Sequence, residues 1–437
     1  MKGNAFKAVG KIAIMNLVLG VIFLEAGSLM VYYFQTHHFF YTREAPEKIK
    51  DLDINEDRMD LLVVERLHPF FGFVQKPGPD FRPGFSYNSF GFISPFEYPF
   101  IKANENQMII GVFGGSVASN YSIFEIQNRI LESTFKQHPA FAEKELIFLS
   151  FATGGYKQPQ QLLILNYMLA AGQELDFVIN IDGFNEMALS SLNSDHGLGV
   201  MMPSVSHVSP LTSLANNSLS ATSLEALFRI QKSKSEFKDL RYRLQNTSLA
   251  SIHTLLSLRM EKVLRQYRVS VQIFQQAQQH PDKSEQRSAY HYYPLQRFSS
   301  PSDLWIHISD TWMNTSLLMS QILAARNIPY LQVLQPNQYH ITQRTFGADE
   351  RKVAFQEDSP YREAIEKGYP FLLERIPRLR AAGVEILDAV KIFDQSPDSM
   401  YIDSCCHYTD EGHLILSTVL ADRILSILNS EAFPIEK

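Results

Sequence analysis

The chain has 437 residues, of which 45% are hydrophobic and 20% charged, and its formal net charge is −6. This composition is typical of a globular protein, and the negative charge argues against a nucleic-acid partner. The two cysteines, Cys405 and Cys406, are sequence neighbours. A bridge between adjacent residues would be strained, so we interpret them as two thiols that serve as small buried packing groups. We expect no disulfide framework, no metal site and no cofactor.

The first predicted element is a membrane helix over residues 12–34, a run whose polar residues are Asn16, Glu25 and Ser28. As a helix it would be about 34 Å long, enough for a hydrocarbon core of about 30 Å. Lysines precede it and aromatic residues follow it, as at membrane interfaces. The Glu25 carboxylate is costly at that depth, so we expect it to be protonated or paired within an assembly. The alternative is a cleaved signal peptide.

The pattern along the chain predicts three parts: a membrane anchor over 1–40, a charged linker over 41–66, and a catalytic domain over 67–437 with a helical insertion at about 187–300. The stretch 68–100 is rich in Phe, Pro and Gly, which favours turns and short irregular strands that cover the domain. Within the insertion, the first third is rich in Ser and Asn and predicts a loop. Residues 223–278 have helical periodicity.

Short apolar runs alternate with helical stretches, which predicts an α/β fold: a three-layer α/β/α sandwich around a mostly parallel five-stranded sheet. The five predicted strands are Met108–Phe113, Leu146–Phe151, Phe177–Ile181, Tyr330–Leu334 and Val384–Leu387. The predicted helices are Ile123–Lys136, Gln160–Ala171, a long block within 221–276, Ser302–Ala325, Tyr361–Ala382 and Glu411–Ile427.

A candidate nucleophile, Ser116, follows the first predicted strand in Gly114-Gly115-Ser116-Val117-Ala118. Paired glycines permit the tight turn that exposes a nucleophile, and the helix that follows favours negative charge at the same place. A plain glycine turn and a nucleotide phosphate loop stay open as alternatives. The spacing of the glycines does not fit a dinucleotide-binding motif, and no Walker lysine follows.

Two candidate oxyanion donors follow the next two strands. Gly155 lets the main chain approach an acyl group and direct an N–H at it. The side chain of Asn185 can donate an N–H without adding charge. The alternatives are an ordinary βα turn without a functional role at Gly155 and a helix N-cap at Asn185. We expect Asp182 and Glu186 to act as local caps or partners.

A candidate base and its acid precede the last helix, in Asp403-Ser404-Cys405-Cys406-His407-Tyr408-Thr409. An imidazole at His407 could take the proton of Ser116, with Asp403 holding its tautomer. A satisfied core histidine and a cysteine nucleophile are the alternatives. Thr409 or Asp410 is expected to cap the helix, and His413 to lie at the surface. In open α/β sheets, ligands bind beyond the carboxyl ends of the strands, where all five candidates would meet.

These segments resemble the four signature blocks of the SGNH (GDSL-like) hydrolases over residues 68–427, without the insertion. The resemblance implies a flavodoxin-like fold, with Ser116 as nucleophile, Gly155 and Asn185 as oxyanion donors together with the Ser116 amide, and a His407–Asp403 pair. Two departures stand out. Gly115 stands where the family usually has Asp. The acid Asp403 lies four residues before the base His407, whereas three residues is usual in the family, and Ser404 occupies that position here. An α/β-hydrolase, whose nucleophile comes later in the sheet, ranks second.

Two further stretches, Asn88–Phe92 and Gln335–Tyr339, are similar to uncharacterised membrane-anchored bacterial members of this family, and their role does not follow from their chemistry. The resemblance implies an esterase that acts on O-acylated small molecules or glycans, including envelope or exported polysaccharide. It would be held in the bacterial inner membrane with its catalytic domain in the periplasm. An O-acetyltransferase and a non-catalytic scaffold are the alternatives.

Overall fold

The computed structural model describes residues 2–42, 65–82, 85–212, 221–278 and 297–429. The chain divides into two compact units. A helical unit comprises Met1–Val63 and Ser213–Ala289, and a sheet unit comprises Val64–Thr212 and Tyr290–Lys437. The predicted linker at 41–66 lies almost entirely outside the described residues.

The centre of the sheet unit is a five-stranded sheet, as predicted. Its strands run in the order β6-β5-β7-β8-β9, and every neighbouring pair is parallel. Nearly every residue of the first four strands is buried because helices cover both faces of the sheet. The runs are mainly apolar, with buried polar exceptions such as Asn180, Asp182 and Gln332. The strands are β5 (Gln107–Gly114), β6 (Glu145–Ser150), β7 (Phe177–Asp182), β8 (Tyr330–Leu334) and β9 (Ile386–Asp388).

Two groups of helices complete the three-layer sandwich. In the first group, the C-terminal helix α12 (Asp410–Leu428) packs against α2 (Ser116–Asn128) and α3 (Ile130–Phe135). In the second group, α9 (Pro301–Ala324) packs against the other three helices. These are α4 (Gln160–Ala170), α5 (Phe184–Asp195) and α11 (Arg362–Ala381). The other α-helices among the described residues of this unit are α6 (Val205–Thr212) and α10 (Ala348–Ala354).

Two predictions about helix positions are wrong. The helix expected at Ile123–Lys136 begins seven residues earlier, at Ser116, and is interrupted at Arg129, which is left-handed with φ of 52°. The loop expected after residue 187 is largely helical, because α5 continues to Asp195 and α6 follows. The Ser and Asn residues there favour turns when isolated, but apolar residues between them bury one side of α5 and stabilise the helix.

The stretch before the sheet forms two antiparallel hairpins, in line with the expected short strands. They consist of β1 (Glu65–His68), β2 (Gly72–Gln75), β3 (Gly78–Arg82) and β4 (Phe85–Tyr87). Phe71, Phe73 and Phe92 are fully buried in the main core. The Asn88 side chain shapes the turn that follows, since its oxygen accepts from the Phe90 and Phe92 N–H groups. The Asn88–Phe92 stretch therefore fixes part of the cover on the sheet unit.

In its described residues, the helical unit contains α1 (Lys2–Thr36), α7 (Ala221–Asn246) and α8 (Ala250–Gln278), with α7 and α8 packed on a core of their own. Within α1, Met15–Thr36 is long and apolar enough to cross a membrane, although a signal sequence would also satisfy that description. The Glu25 carboxylate is paired within the chain. It accepts from the Ala250 N–H at 2.6 Å, from Ser251, and from the Tyr41 hydroxyl. Glu25 therefore caps α8, where the helix dipole favours an anion.

Candidate active site

Ser116, His407 and Asp403 form a continuous hydrogen-bonded chain. Ser116 Oγ lies 2.8 Å from His407 Nε2, and His407 Nδ1 lies 2.5 Å from Asp403 Oδ2. The imidazole is 23% exposed and the carboxylate 39% exposed, so the chain is open to solvent at one side. Burial alone would raise the pKa of Asp403, but the hydrogen bond and charge of His407, with the N–H groups of Cys405 and His407, lower it. A charged Asp403 holds the proton on Nδ1 and leaves Nε2 to accept from Ser116.

The first two candidate oxyanion donors are main-chain amides. Ser116 is the first residue of α2, so its N–H has no partner within the helix. Gly155 has φ of 80°, a conformation that L side chains rarely adopt, and its N–H makes no hydrogen bond to another described residue. Gly154, beside it, would place a Cβ 3.9 Å from Ser116 Cβ. The turn after β6 therefore lies beside Ser116, the candidate nucleophile, and it carries an N–H that has no hydrogen-bond partner among the described residues.

The third candidate donor, Asn185, is the second residue of α5 and is not its N-cap, which is Gly183. Asn185 Nδ2 donates one hydrogen to the Tyr156 carbonyl at 2.8 Å, and its second hydrogen has no described acceptor. A Cβ at Gly115 would overlap Asn185 Nδ2. The Gly115 departure therefore has a physical reason: a side chain there would displace the Asn185 amide.

A buried polar network joins the turns that carry Gly155 and Asn185. The Glu186 carboxylate accepts from the Gly183 N–H at 2.7 Å and from the Gln158 N–H at 2.9 Å, so it links both turns. Asp182 accepts from Trp312 at 2.7 Å. Burial raises the pKa of both acids, and Glu186 raises that of Asp182 further. The roles expected for the two acids, as caps and local partners, agree with these contacts.

Lys157 lies fully buried in the same region and donates to the Val200 carbonyl. Burial lowers its pKa to about 7, although the charge of Glu186 opposes the shift. Nothing in the sequence pattern distinguished Lys157 from a surface lysine. Its burial arises because α5 and the segment after it fold over the turn after β6.

The Gln335–Tyr339 stretch holds the loop that carries the candidate acid and base, Asp403 and His407. Asn337 Nδ2 donates to the Cys405 carbonyl at 3.1 Å, and Gln338 Nε2 donates to the Asp403 carbonyl at 3.1 Å. The Tyr339 hydroxyl donates to the Ser404 carbonyl at 2.9 Å. Three consecutive side chains thus fix three carbonyls of one loop. This contact assigns the stretch a structural role that its sequence alone did not indicate.

The loop is also fixed by Asp403 itself. Its Oδ1 accepts from the N–H groups of Cys405, Cys406 and His407 at 2.9, 3.1 and 3.3 Å, while Oδ2 meets the imidazole. These bonds explain how an acid four residues before the base can reach it, because the loop curls around the carboxylate. Ser404 stands three residues before His407, where the family usually has its acid, but its hydroxyl donates to Gln356 Oε1 at 3.2 Å.

Cys406 and His207 lie beside the candidate site. The sequence predicted only a packing role for Cys406 and no role for His207. Cys406 is buried as expected, but its Sγ lies 4.0 Å from Ser116 Oγ and 3.2 Å from Cys405 Sγ. His207, on α6, covers Gly155 and stacks on Phe73 with ring centroids 4.8 Å apart. Burial lowers the pKa of His207 to about 4, so this ring is neutral at pH 7. Its position could not be predicted because a loop was expected there.

Other features near the last helix are partly as expected. Thr409 Oγ1 accepts from the Gly412 N–H at 3.1 Å, which confirms the predicted N-cap. His413 is buried against Phe124, so the expected surface position is wrong. It falls on the face of α12 that packs on α2.

A cavity of about 240 Å³ lies between Phe96 and Phe148, and none of the five candidate residues lines it.

No protein-family model matches the chain, and no curated protein matches it. Among solved structures, the chain is similar to a GDSL-like lipase from Bacteroides thetaiotaomicron, with 9% identity, a TM-score of 0.35, and coverage of 75% of this chain and 93% of the other. It is similar to an acetyl xylan esterase at 10% identity and a TM-score of 0.34, covering 74% and 100%. A lipase/acylhydrolase from Enterococcus faecalis shares 10% identity, with a TM-score of 0.33 and coverage of 73% and 96%.

All three TM-scores are below 0.5, so the likeness does not decide the activity of this chain. The hydrogen-bonded chain from Ser116 to Asp403, at the carboxyl edge of a five-stranded parallel sheet, is what carries the functional proposal below.

Proposed function

We propose that this protein is a serine-dependent acyl ester hydrolase. The observation that supports the proposal most directly is the Ser116–His407–Asp403 chain, with contacts of 2.8 and 2.5 Å. Few other arrangements give a serine hydroxyl both a base within proton-transfer range and unpartnered N–H groups beside it. A helix N-terminus at Ser116 adds a dipole that favours the developing negative charge.

The proposed reaction begins when Ser116 Oγ attacks the ester carbonyl and His407 Nε2 takes its proton. The carbonyl oxygen becomes an oxyanion that accepts from the N–H groups of Ser116 and Gly155 and from Asn185 Nδ2. The intermediate collapses as His407 returns the proton to the leaving alcohol, which gives an acyl-serine. Water then attacks the acyl-serine with His407 as base, releasing the acid and the free serine. Asp403 stays charged and stabilises the imidazolium.

The test is labelling with a fluorophosphonate probe on the full chain in detergent. Wild-type protein should label at one site, and Ser116→Ala should abolish the label. Ser119→Ala on the same helix is a matched control that should retain it. A folded wild type that does not label would instead favour the non-catalytic scaffold.

The substrate we propose is an O-acyl group on a small molecule or glycan. An O-acetylated sugar would be supplied with and without a second sugar as acceptor, and acetate and transferred product would be measured. Acetate formed at the same rate with and without acceptor supports a hydrolase. Acceptor-dependent transfer that exceeds acetate release would replace the hydrolase by an O-acetyltransferase.

For location, we propose that α1 stays attached as a single-pass anchor in a bacterial inner membrane, with the sheet unit in the periplasm. Its length and apolar character support this proposal. Intact mass of the membrane fraction should retain residues 1–34, and external protease on spheroplasts should digest the sheet unit. A mass that begins after residue 28 would show a cleaved signal peptide instead.

A further inference from the structure

Three potential metal ligands from consecutive residues meet beside the nucleophile. The Sγ atoms of Cys405 and Cys406 lie 3.2 Å apart, and a ring nitrogen of His407 lies within 4.8 Å of both. Donor atoms around one tetrahedral zinc lie roughly 3.5–3.8 Å apart, given Zn–S of about 2.3 Å and Zn–N of about 2.0–2.1 Å. Small side-chain rotations would therefore bring the three donors to the distances that one ion needs.

The orientation of His407 suits a metal ligand. Its Nδ1 is bound to Asp403 at 2.5 Å, which leaves Nε2 as the nitrogen with a lone pair. Histidines that bind metals almost always use the other ring nitrogen to donate to a carboxylate or carbonyl, which raises the basicity of the ligating nitrogen. The Asp403–His407 pair that suits a catalytic base therefore also suits a zinc ligand, because Asp403 orients the imidazole in both cases.

The donor set selects for soft cations. Thiolates bind Zn²⁺ and Cd²⁺ tightly, whereas Mg²⁺ and Ca²⁺ prefer oxygen. Cysteine ligates such a cation as the thiolate, so each of the two thiols must lose its proton when the cation binds. Binding releases these two protons to water, and the two thiolates then balance the charge of the divalent ion.

We propose that Cys405, Cys406 and His407 Nε2 form an inhibitory site for a thiophilic divalent cation, with Zn²⁺ as the physiological candidate. Ser116 Oγ lies 4.0 Å from Cys406 Sγ and 2.8 Å from His407 Nε2, so the bound ion sits next to the nucleophile. The lone pair of Nε2 would be committed to the metal and could not accept the serine proton. Ser116 Oγ or a water supplies the fourth ligand. The inhibition rests on the proposed function, but the binding does not.

Binding is tested first in the full-length Ser116→Ala protein, kept reduced, because this protein needs no catalytic activity for the readout. Titration with Cd²⁺ should produce the ultraviolet thiolate-to-cadmium absorption at one equivalent, and Zn²⁺ should displace it. Cys405→Ser on this background should weaken the affinity by about 10–100-fold or more. Ser404→Ala is the matched control, since Ser404 is on the same loop but turns to Gln356. It should bind like the parent.

Inhibition is tested in the wild type by the rate of fluorophosphonate labelling. Zn²⁺ should slow labelling at the concentrations at which it binds, and a chelator should restore it. Cys405→Ser should label normally without metal and require correspondingly more Zn²⁺ for inhibition. The proposal is overturned if the Ser116→Ala protein shows no thiolate–cadmium absorption, or if Cys405→Ser and Ser404→Ala respond equally to Zn²⁺. A wild type that binds Cd²⁺ but never labels would leave the metal site standing and reject the hydrolase.

Discussion

The two halves of the candidate site are supported in different ways. The half with Ser116, Gly155 and Asn185 stands at the ends of three adjacent strands, and the buried carboxylate of Glu186 ties two of its turns together. The half with Asp403 and His407 is a partly exposed loop, held by side chains of one neighbouring segment. The half with the candidate oxyanion donors, the oxyanion half, is therefore part of the core, and we expect changes in the half with the candidate acid and base, the acid–base half, to affect the fold less.

The largest expected effect on activity is in the acid–base half. His407→Ala should lower kcat by about 10⁶-fold, as when a triad base is removed, and Asp403→Asn by about 10⁴-fold through the wrong tautomer. His407→Ala should unfold in urea close to the wild type, since the loop is peripheral, and Asp403→Asn should be only slightly less stable, by the contribution of its carboxylate charge. Hydrolysis of a short-chain aryl ester measures the first effect. Adding Ser404→Asp to Asp403→Asn should not restore activity, because the Ser404 side chain turns away from His407.

A second prediction concerns the oxyanion half. Asn185→Ala should lower kcat by about 10²–10³-fold with KM little changed, because the amide acts mainly on the oxyanion of the transition state. Steady-state kinetics on the same ester checks this split. A variant that raised KM alone would show that Asn185 binds substrate without stabilising the oxyanion.

The contrast between the halves is sharpest for stability. Glu186→Ala removes the acceptor shared by the Gly183 and Gln158 N–H groups, and should lower the free energy of unfolding by roughly 2–4 kcal/mol. Activity should fall as well, since both turns lose their link. Glu363→Ala, which breaks an exposed pair with Lys367, is the control and should cost below about 0.5 kcal/mol. Equal urea midpoints for the two variants would contradict the assigned role of Glu186.

Tyr339→Phe should have a smaller effect on the acid–base loop. It removes the bond to the Ser404 carbonyl and should cost about 0.5–1.5 kcal/mol, with a lower kcat as the loop loosens. Tyr242→Phe, exposed on α7, serves as control. Unchanged kinetics and stability in Tyr339→Phe would show that the loop is held without this hydroxyl.

The smallest expected effect is the pH dependence that comes from Asp403. Its folded pKa lies below the unfolded value of about 3.9, so its contribution to stability is complete above that value and is lost as pH falls through the folded pKa. Urea unfolding of wild type and Asp403→Asn from neutral pH to about pH 3 measures it. The difference between the two proteins should shrink only at the acidic end. A difference that vanished near pH 6 would point to another group.

The five strands, their parallel arrangement and the places of Ser116, Gly155, Asn185 and His407 could be predicted from the sequence. Buried parallel strands need continuous apolar runs, and the carboxyl ends of such strands must share one edge. Helix ends were less well predicted, as at Arg129. The segment after residue 187 was also missed, because its helices depend on burial that a polar local sequence does not reveal.

The tertiary structure alone decided how distant segments support the site. Asp403 reaches His407 because the loop curls around its carboxylate, and Gly115 makes room for Asn185 Nδ2. Glu25 finds its donors at the start of α8, more than 200 residues along the chain. Periodicity reports which face of an element is buried, but contacts between elements follow from packing in three dimensions. The sequence therefore determined which residues could react, and the fold determined which of them meet.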